Sequence, residues 1–249
     1  MITRLATLGR FGTFSAQVMW RTVTPYWEVD ATATHLWALW WRCLLPVLAT
    51  TTPLGMVMAL QGLQIFDLYG AQRLLSPLVS VATFRELSPV LASVLVAAQG
   101  GSSFAAELGA MKISEELDAT EVMAIDPIRV HVVPRFLAIL IACPLLNLAG
   151  SLGGIFGGFV SAVVLKGETA GIYWANLWQM TRVSDLFGGF VKTLAFGAII
   201  GLVACWFGTE AKGGAPGVGR AVNDTVVYAC TAFIVVNYFL TSALFGAIG

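Results

Sequence analysis

The residues in this chain that could do chemistry are few, and most stand in poor surroundings for it. His35 and His131 are the only histidines, and neither has a neighbouring set of metal ligands. Cys43, Cys143, Cys205 and Cys230 are far apart, each in an apolar block without a CxxC or a Cys/His cluster. They read as small buried side chains. Gly214 to Ala221, GAPGVGRA, has the outline of a phosphate-binding Walker A loop, but Arg220 and Ala221 stand where Lys and Ser/Thr must hold phosphate and magnesium. It reads instead as a glycine-rich turn. No GxSxG, HExxH or paired catalytic carboxylates occur, so no catalytic residue is assigned to this chain. What remains is a set of charges in apolar surroundings, Arg85, Glu86 and Lys192. Charges in hydrocarbon are expensive and usually functional. Asp67, Glu168 and Asp185 read as solvated loop residues.

The elements that must position these groups follow from composition. Hydrophobic residues make up 57% of the 249 and charged residues 11%, against roughly 25% charged in soluble domains. The mean hydropathy is +0.81, so lipid rather than water is the main solvent. With 14 basic and 14 acidic residues there is no basic field to attract nucleic acid. The expectation is an all-α integral membrane protein forming one membrane domain over 1–249.

Five blocks reach the roughly 20 residues that a bilayer crossing takes. They run from Cys43 to Phe66, Leu87 to Ala106, Phe136 to Leu165, about Leu186 to Thr209, and Thr225 to Gly249. Backbone groups in lipid must be bonded within their own segment, so the blocks are helices. Residues 1–34 have no apolar core of signal-peptide type. They predict an amphipathic helix with Leu8, Phe11, Phe14 and Val18 on one side and Arg10, Thr13, Gln17 and Arg21 on the other. Such a helix lies in the headgroup layer or flat on protein. With the N-terminus inside, the inner side receives Arg4, Arg10, Arg21, Arg42, Lys112, Arg129, Arg135, Lys212 and Arg220, and the outer side keeps Arg73, Arg85, Lys166, Arg182 and Lys192. That bias favours a cytoplasmic N-terminus.

Pro46 and Pro53 should kink or break the first span, where Thr50, Thr51 and Thr52 can bond the carbonyls that proline frees. Gly150, Gly154 and Gly158, beside Gly153 and Gly157, allow close backbone approach, either within the chain or at a subunit interface. Residues 107–135 are polar, helix-forming and too long for a simple connection. Ser114 can cap a helix opened by Glu115 and Glu116, and Pro127 should stop it near Ile125. Ile113, Leu117 and Ala124 would face the membrane domain, with Glu115, Asp118 and Glu121 or Val122 facing away. Such a helix is either a grip for a soluble motor subunit or a solvated loop helix.

The run ELSPVLASVLVAAQGGSSFAAELGAMKISEELDATEVMAIDPIRVHVVPRFLA, with DLFGGFVKTLAFGAIIGLVACWFG, GAPGVGRAVNDTVV and NYFLTSALFG in the same order, resembles the MlaE/YrbE permeases. These are membrane subunits of Mce-associated ABC lipid transporters of the bacterial inner membrane. The resemblance covers about half the chain. It implies a permease dimer, either of identical chains or of paralogues, bound to two copies of a cytoplasmic ATPase that holds ATP and magnesium. It also implies an Mce-domain partner that carries lipid, while this chain binds no cofactor. The family's coupling helix maps onto Glu107, Leu108, Gly109, Glu115, Glu116, Asp118, Ala119, Glu121, Val122 and Met123, closed by Asp126, Pro127 and Arg129.

Two positions depart from the family pattern. Asn237 stands where the family has an aspartate, which leaves Arg85 and Lys192 facing Glu86 alone. The surplus cation would meet a lipid phosphate or a partner carboxylate, or Lys192 would snorkel to the interface. Ala98-Gln99-Gly100-Gly101 lacks the arginine of a GRVG-like sequence, which bears on stoichiometry. The candidate lipid site is Arg85, Glu86, Lys192 and Asn237, with lining from Met56, Leu60, Gln61, Gln64, Leu87 and Phe239. The rival readings are a secondary carrier or channel without an ATPase, and an intramembrane enzyme of lipid metabolism.

Overall fold

A computed structural model describes residues 2–24 and 28–246, and the side chains of all of these except 2–5 and 180. The side chain of Arg4 and residues 247–249, which include Gly249 of the fifth block, lie outside the described residues. Most of those described are helical, with no strand among them. The helices are α1 (Ile2–Val23), α2 (Val29–Tyr69), α3 (Gln72–Ile113), α4 (Glu116–Val122), α5 (Ile128–Leu165), α6 (Ala170–Met180), α7 (Val183–Thr209) and α8 (Ala215–Phe245). Among the described residues five of them, α2, α3, α5, α7 and α8, are long and apolar enough to cross a membrane. The chain is an all-α, multi-pass membrane protein.

Every span begins ahead of its apolar block, because a helix does not start where hydropathy does. α3 runs on through Glu107 to Ile113 and α5 begins at Ile128, so the polar connection shrinks to residues 114–127. The glycine-rich segment is likewise not a turn. The chain reverses at Gly213 and Gly214, whose φ values are 88° and 70°. Residues from Ala215 onward already form α8, with Pro216 in its first turn, where a missing N–H costs nothing.

Pro46 and Pro53 lie inside α2, which continues through both. Thr50 donates to the carbonyls of Pro46 and Val47, and Thr51 to that of Val47. The carbonyls that the prolines deprive of an α-helical donor are four residues upstream, at Arg42 and Ala49. The hydroxyls therefore brace the turn between the prolines, not the freed carbonyls. α3 and α5 also contain wide π turns at Thr83–Leu87, Ala97–Gly101, Ile128–Val132 and Val160–Leu165.

Contacts divide the chain into two compact units, and the divisions fall within helices. One contains Met1–Trp40, Val96–Ala142 and Phe196–Phe233. Its core packs Phe14 and Val18 of α1 against Leu108, Val132, Phe136, Cys205 and Trp206. The apolar face of α1 therefore lies on its own chain, while Leu8, Met19 and Trp20 stay exposed. The other unit contains Trp41–Leu95, Cys143–Ala195 and Ile234–Gly249, with Ala59, Leu63, Leu75, Val79, Ile155, Ala162, Tyr173 and Leu177 at its centre. There the glycines of α5 meet α2. A Cβ on Gly157 would overlap the carbonyl of Thr52, and one on Gly55 would overlap that of Gly154. The glycine ladder is thus an intramolecular packing surface.

Candidate functional site

Two arrangements stand out, one in each unit. The first is the connection between α3 and α5. Ser114 does not cap α4. Its N–H closes the last turn of α3 on Ala110, while its hydroxyl donates to Glu116. Glu115 follows at φ 61°, a left-handed conformation that a non-glycine residue adopts at a cost of roughly 1 to 2 kcal/mol. The far end is also left-handed, with Ala124 at φ 61°. The N–H of Ile125 bonds the carbonyl of Thr120, and that of Ala124 bonds Glu121. This is a Schellman closure, so α4 ends at Val122, ahead of Pro127. Asp126 then caps α5 through Oδ1 to the N–H of Ile128, at 3.1 Å, with Pro127 ahead of the first turn.

Only Leu117 and Thr120 of α4 are buried; Ile113 and Ala124, expected on the inner face, are exposed. The reason is the sharp bend at Glu115, which puts Ile113 on a different helix, and the reversal at Ala124. Glu115, Glu116, Asp118, Ala119, Glu121, Val122 and Met123 are all exposed, with Val122 at 88%. Leu108 and Gly109 are buried. Those two therefore support the helix and do not present a surface.

The frame around α4 is pinned by polar contacts. Arg135 donates to Glu107 at 3.2 Å and to the carbonyl of His131 at 2.7 Å, tying the start of α5 to the end of α3. His131 Nε2 and the Thr120 hydroxyl are 3.4 Å apart. Arg21 of α1 reaches Asp126 at 2.8 Å, and Lys112 reaches Asp118 at 2.6 Å. Arg129, in the first turn of α5, is half-buried.

The second arrangement gathers the intramembrane charges, and it begins with a proline. Pro89 has no N–H, so the carbonyl of Arg85, four residues upstream, lacks its α-helical donor. Lys192 of α7 supplies one, at 2.7 Å. The same ammonium donates to Glu86 Oε1 at 2.9 Å and to the Thr241 hydroxyl at 2.8 Å. Glu86 also accepts from Thr241 at 2.9 Å and from Asn237 Nδ2 at 3.0 Å. The side chain of Lys192 is 0% exposed and that of Glu86 39% exposed. Lys192 therefore does not snorkel; it is enclosed by its acceptors. Close approach of α7 depends on Gly189, where a Cβ would press on the carbonyl of Phe84.

Arg85 turns elsewhere. Its Nε and Nη2 both donate to Asp185 Oδ1, at 2.9 and 2.7 Å, and its guanidinium lies 4.3 Å from the ring centre of Phe245. Asp185 is 1% exposed and also accepts from the N–H of Arg182 at 3.1 Å. The expectation of a solvated Asp185 is overturned, and with it the surplus cation. Two cations meet two carboxylates. A signal was present in the sequence, since Asp185 and Lys192 are seven residues apart and share one face of α7. Thr241, four residues after Asn237, was missed because hydroxyl donors carry no charge pattern. Of the expected lining, Met56, Leu60 and Leu87 are half-buried and Gln61, Gln64 and Phe239 exposed. Among the described residues none of the six bonds to the cluster by its side chain.

A family model described as Permease MlaE matches residues 32–243. The chain belongs to the MlaE permease family. It is 37% identical over 202 residues to a probable ABC transporter permease protein of Rickettsia typhi, covering 81% of this chain and 78% of that one. It is 34% identical over 207 residues to the intermembrane phospholipid transport system permease protein MlaE of Haemophilus influenzae, covering 83% and 79%. A third relative is the chloroplastic protein TRIGALACTOSYLDIACYLGLYCEROL 1 of Arabidopsis thaliana, 33% identical over 202 residues, which are 81% of this chain and 58% of the plant protein. Both arrangements described above fall within the matched region, apart from Arg21 and Phe245 at their edges.

Proposed function

We propose that this MlaE-family permease is the membrane subunit of an ATP-driven phospholipid transporter, with α4 as the lever on which a separate ATPase pushes. The observation that carries the reading is the display of α4. A seven-residue helix held by Leu117 and Thr120, with Val122 88% exposed and Met123 64% exposed beside four exposed carboxylates, has nothing of its own to bury that face against. Large exposed apolar side chains rimmed by charge are the mark of a protein contact. The pinned contacts at Glu107, Arg135 and Asp126 would pass a push on α4 into the ends of α3 and α5.

In this reading the N-terminus is cytoplasmic, in the inner membrane of a bacterium, and ATP and magnesium are held by a dimer of ATPase chains. A second permease chain, identical or paralogous, would pack against exposed apolar side chains such as Val227, Ile234 and Tyr238 of α8, which are 53%, 53% and 74% exposed. An Mce-domain protein would exchange the lipid. Arg85, Glu86, Lys192 and Asn237, charge-balanced by Asp185, would form a rim for the headgroup, reachable through the exposed parts of Glu86 and Arg85, 39% and 30%. The names of the Rickettsia and Haemophilus relatives support the ABC and phospholipid assignments.

Native copurification tests this. The wild-type complex should contain an ATPase and a phospholipid, and Val122→Asp should lose the ATPase while the permease remains folded and membrane-inserted. Retention of the ATPase by Val122→Asp and by Met123→Asp alike would refute α4 as the docking lever. Recovery of the intact permease without any nucleotide-hydrolysing partner would favour a secondary carrier or channel.

A further inference from the structure

A second polar site lies away from the charged cluster but within the same unit. The turn between α2 and α3 and the turn between α5 and α6 enclose a cleft of about 450 Å³, within the size range of small-molecule pockets. Four charged side chains line it, Asp67 from the end of α2, Arg73 from the start of α3, and Lys166 and Glu168 from the second turn. Among the described residues none of the four has an ion-pair partner. Opposite charges that line one cleft and stay apart leave a place where a ligand can satisfy both signs. Asp67 accepts from Gln72 at 2.7 Å, which fixes one carboxylate. Burial, and secondarily the Asp67 charge, hold the Glu168 carboxyl above its ordinary range. A cation entering between the two acids would offset the repulsion from Asp67. The floor is firm, because Tyr173 is 1% exposed and donates to the carbonyl of Ile155 at 3.3 Å.

The mouth indicates what enters. α6, 11 residues long, is too short to cross a bilayer. It carries Ile172, Trp174 and Trp178 exposed at 55%, 39% and 70%, and Ile172 also borders the cleft. Exposed tryptophans on a short helix at the end of spans mark headgroup depth. We propose that this cleft binds the zwitterionic headgroup of a phospholipid, its phosphate taken by Arg73 and Lys166 and its ammonium by Asp67 and Glu168. The site would select lipid by headgroup at the membrane surface, and it stands whether or not transport is driven by ATP.

The test is binding, measured on the full-length chain by native mass spectrometry with short-chain phosphatidylethanolamine, phosphatidylglycerol and free phosphoethanolamine as probes. The zwitterionic lipid should bind at least about tenfold more tightly than the anionic one, equivalent to about 1.4 kcal/mol. Arg73→Gln and Lys166→Gln should weaken both lipids. Glu168→Gln should weaken phosphatidylethanolamine alone and erase the preference. Equal affinity for the two lipids, or a preference that survives all three substitutions, would overturn the proposal. Free phosphoethanolamine binding as tightly as the lipid would overturn the lipid assignment in favour of a soluble ligand. Cross-linking of Thr169→Cys to a partner protein, with no lipid preference, would make the cleft a protein contact instead.

Discussion

Replacing Lys192 by methionine keeps the aliphatic stem and removes the ammonium, which makes it the sharpest probe of the charged cluster. Three bonds are lost, to the Arg85 carbonyl, Glu86 and Thr241. Thr241 keeps its bond to Glu86, so its loss is small. The Arg85 carbonyl, to which Pro89 offers no N–H, loses the ammonium, and a hydrogen bond to a charged group contributes roughly 1.5 to 3 kcal/mol. Breaking a fully buried ion pair costs about 3 to 5 kcal/mol. Because Glu86 is 39% exposed, solvent screening brings that part down to about 1 to 2 kcal/mol. The expected sum is about 3 kcal/mol, roughly a hundredfold in the folding equilibrium. The assay is reversible denaturation in bicelles followed by circular dichroism, for Lys192→Met, Glu86→Gln and the double variant. Glu86→Gln leaves an ammonium at 0% exposure with no counter-charge, so it should cost at least as much. The double variant should cost less than the sum of the singles by about 1.5 kcal/mol or more. A loss below about 0.5 kcal/mol for Lys192→Met, or strict additivity, would show that the pair contributes little, and the reasoning from burial and from Pro89 would be wrong.

Gly157→Val should separate α5 from α2 at the Thr52 carbonyl and cost about 3 kcal/mol. Gly171→Ala, where a Cβ meets nothing within 4 Å, should change stability by less than about 0.5 kcal/mol; equal effects in the same unfolding assay would refute the packing role of the ladder. Glu168 gives a pH dependence of known sign. Its folded-state pKa lies above the ordinary 4.5, so the native state holds that proton more tightly than the unfolded chain does. Stability from this group is full below pH 4.5 and is lost as pH rises through the raised value. Melting temperatures across that window should fall more steeply for wild type than for Glu168→Gln, and a steeper fall for the variant would contradict the assignment.

Much of the fold was legible because lipid imposes one rule on every span. A segment with no water to bond must be helical, so hydropathy alone located α2, α3, α5, α7 and α8. The ends were less legible. Glu107 and Arg129 look like solvated loop residues by hydropathy, yet each continues a helix because helical bonding carries across a polar turn as readily as across an apolar one. α4 was foreseen as a helix, but its limits were misplaced. Two left-handed residues, Glu115 and Ala124, set them, and neither is a glycine that would announce the geometry.

By itself the sequence determined the membrane class, the helical spans and the polar connection that α4 occupies. It also showed the family to which the motifs point, since each of these depends on local composition, spacing or short runs of residues. Only the tertiary structure decided which charges are partners. Glu86 lies beside Arg85 in the chain but binds Lys192, and Arg85 binds Asp185, a hundred positions away. The physical reason is that pairing in a low-dielectric interior depends on distances between helices. Those distances are set by features such as the missing N–H of Pro89 and the bare α-carbon of Gly189, whose effect appears only when α7 is packed against α3.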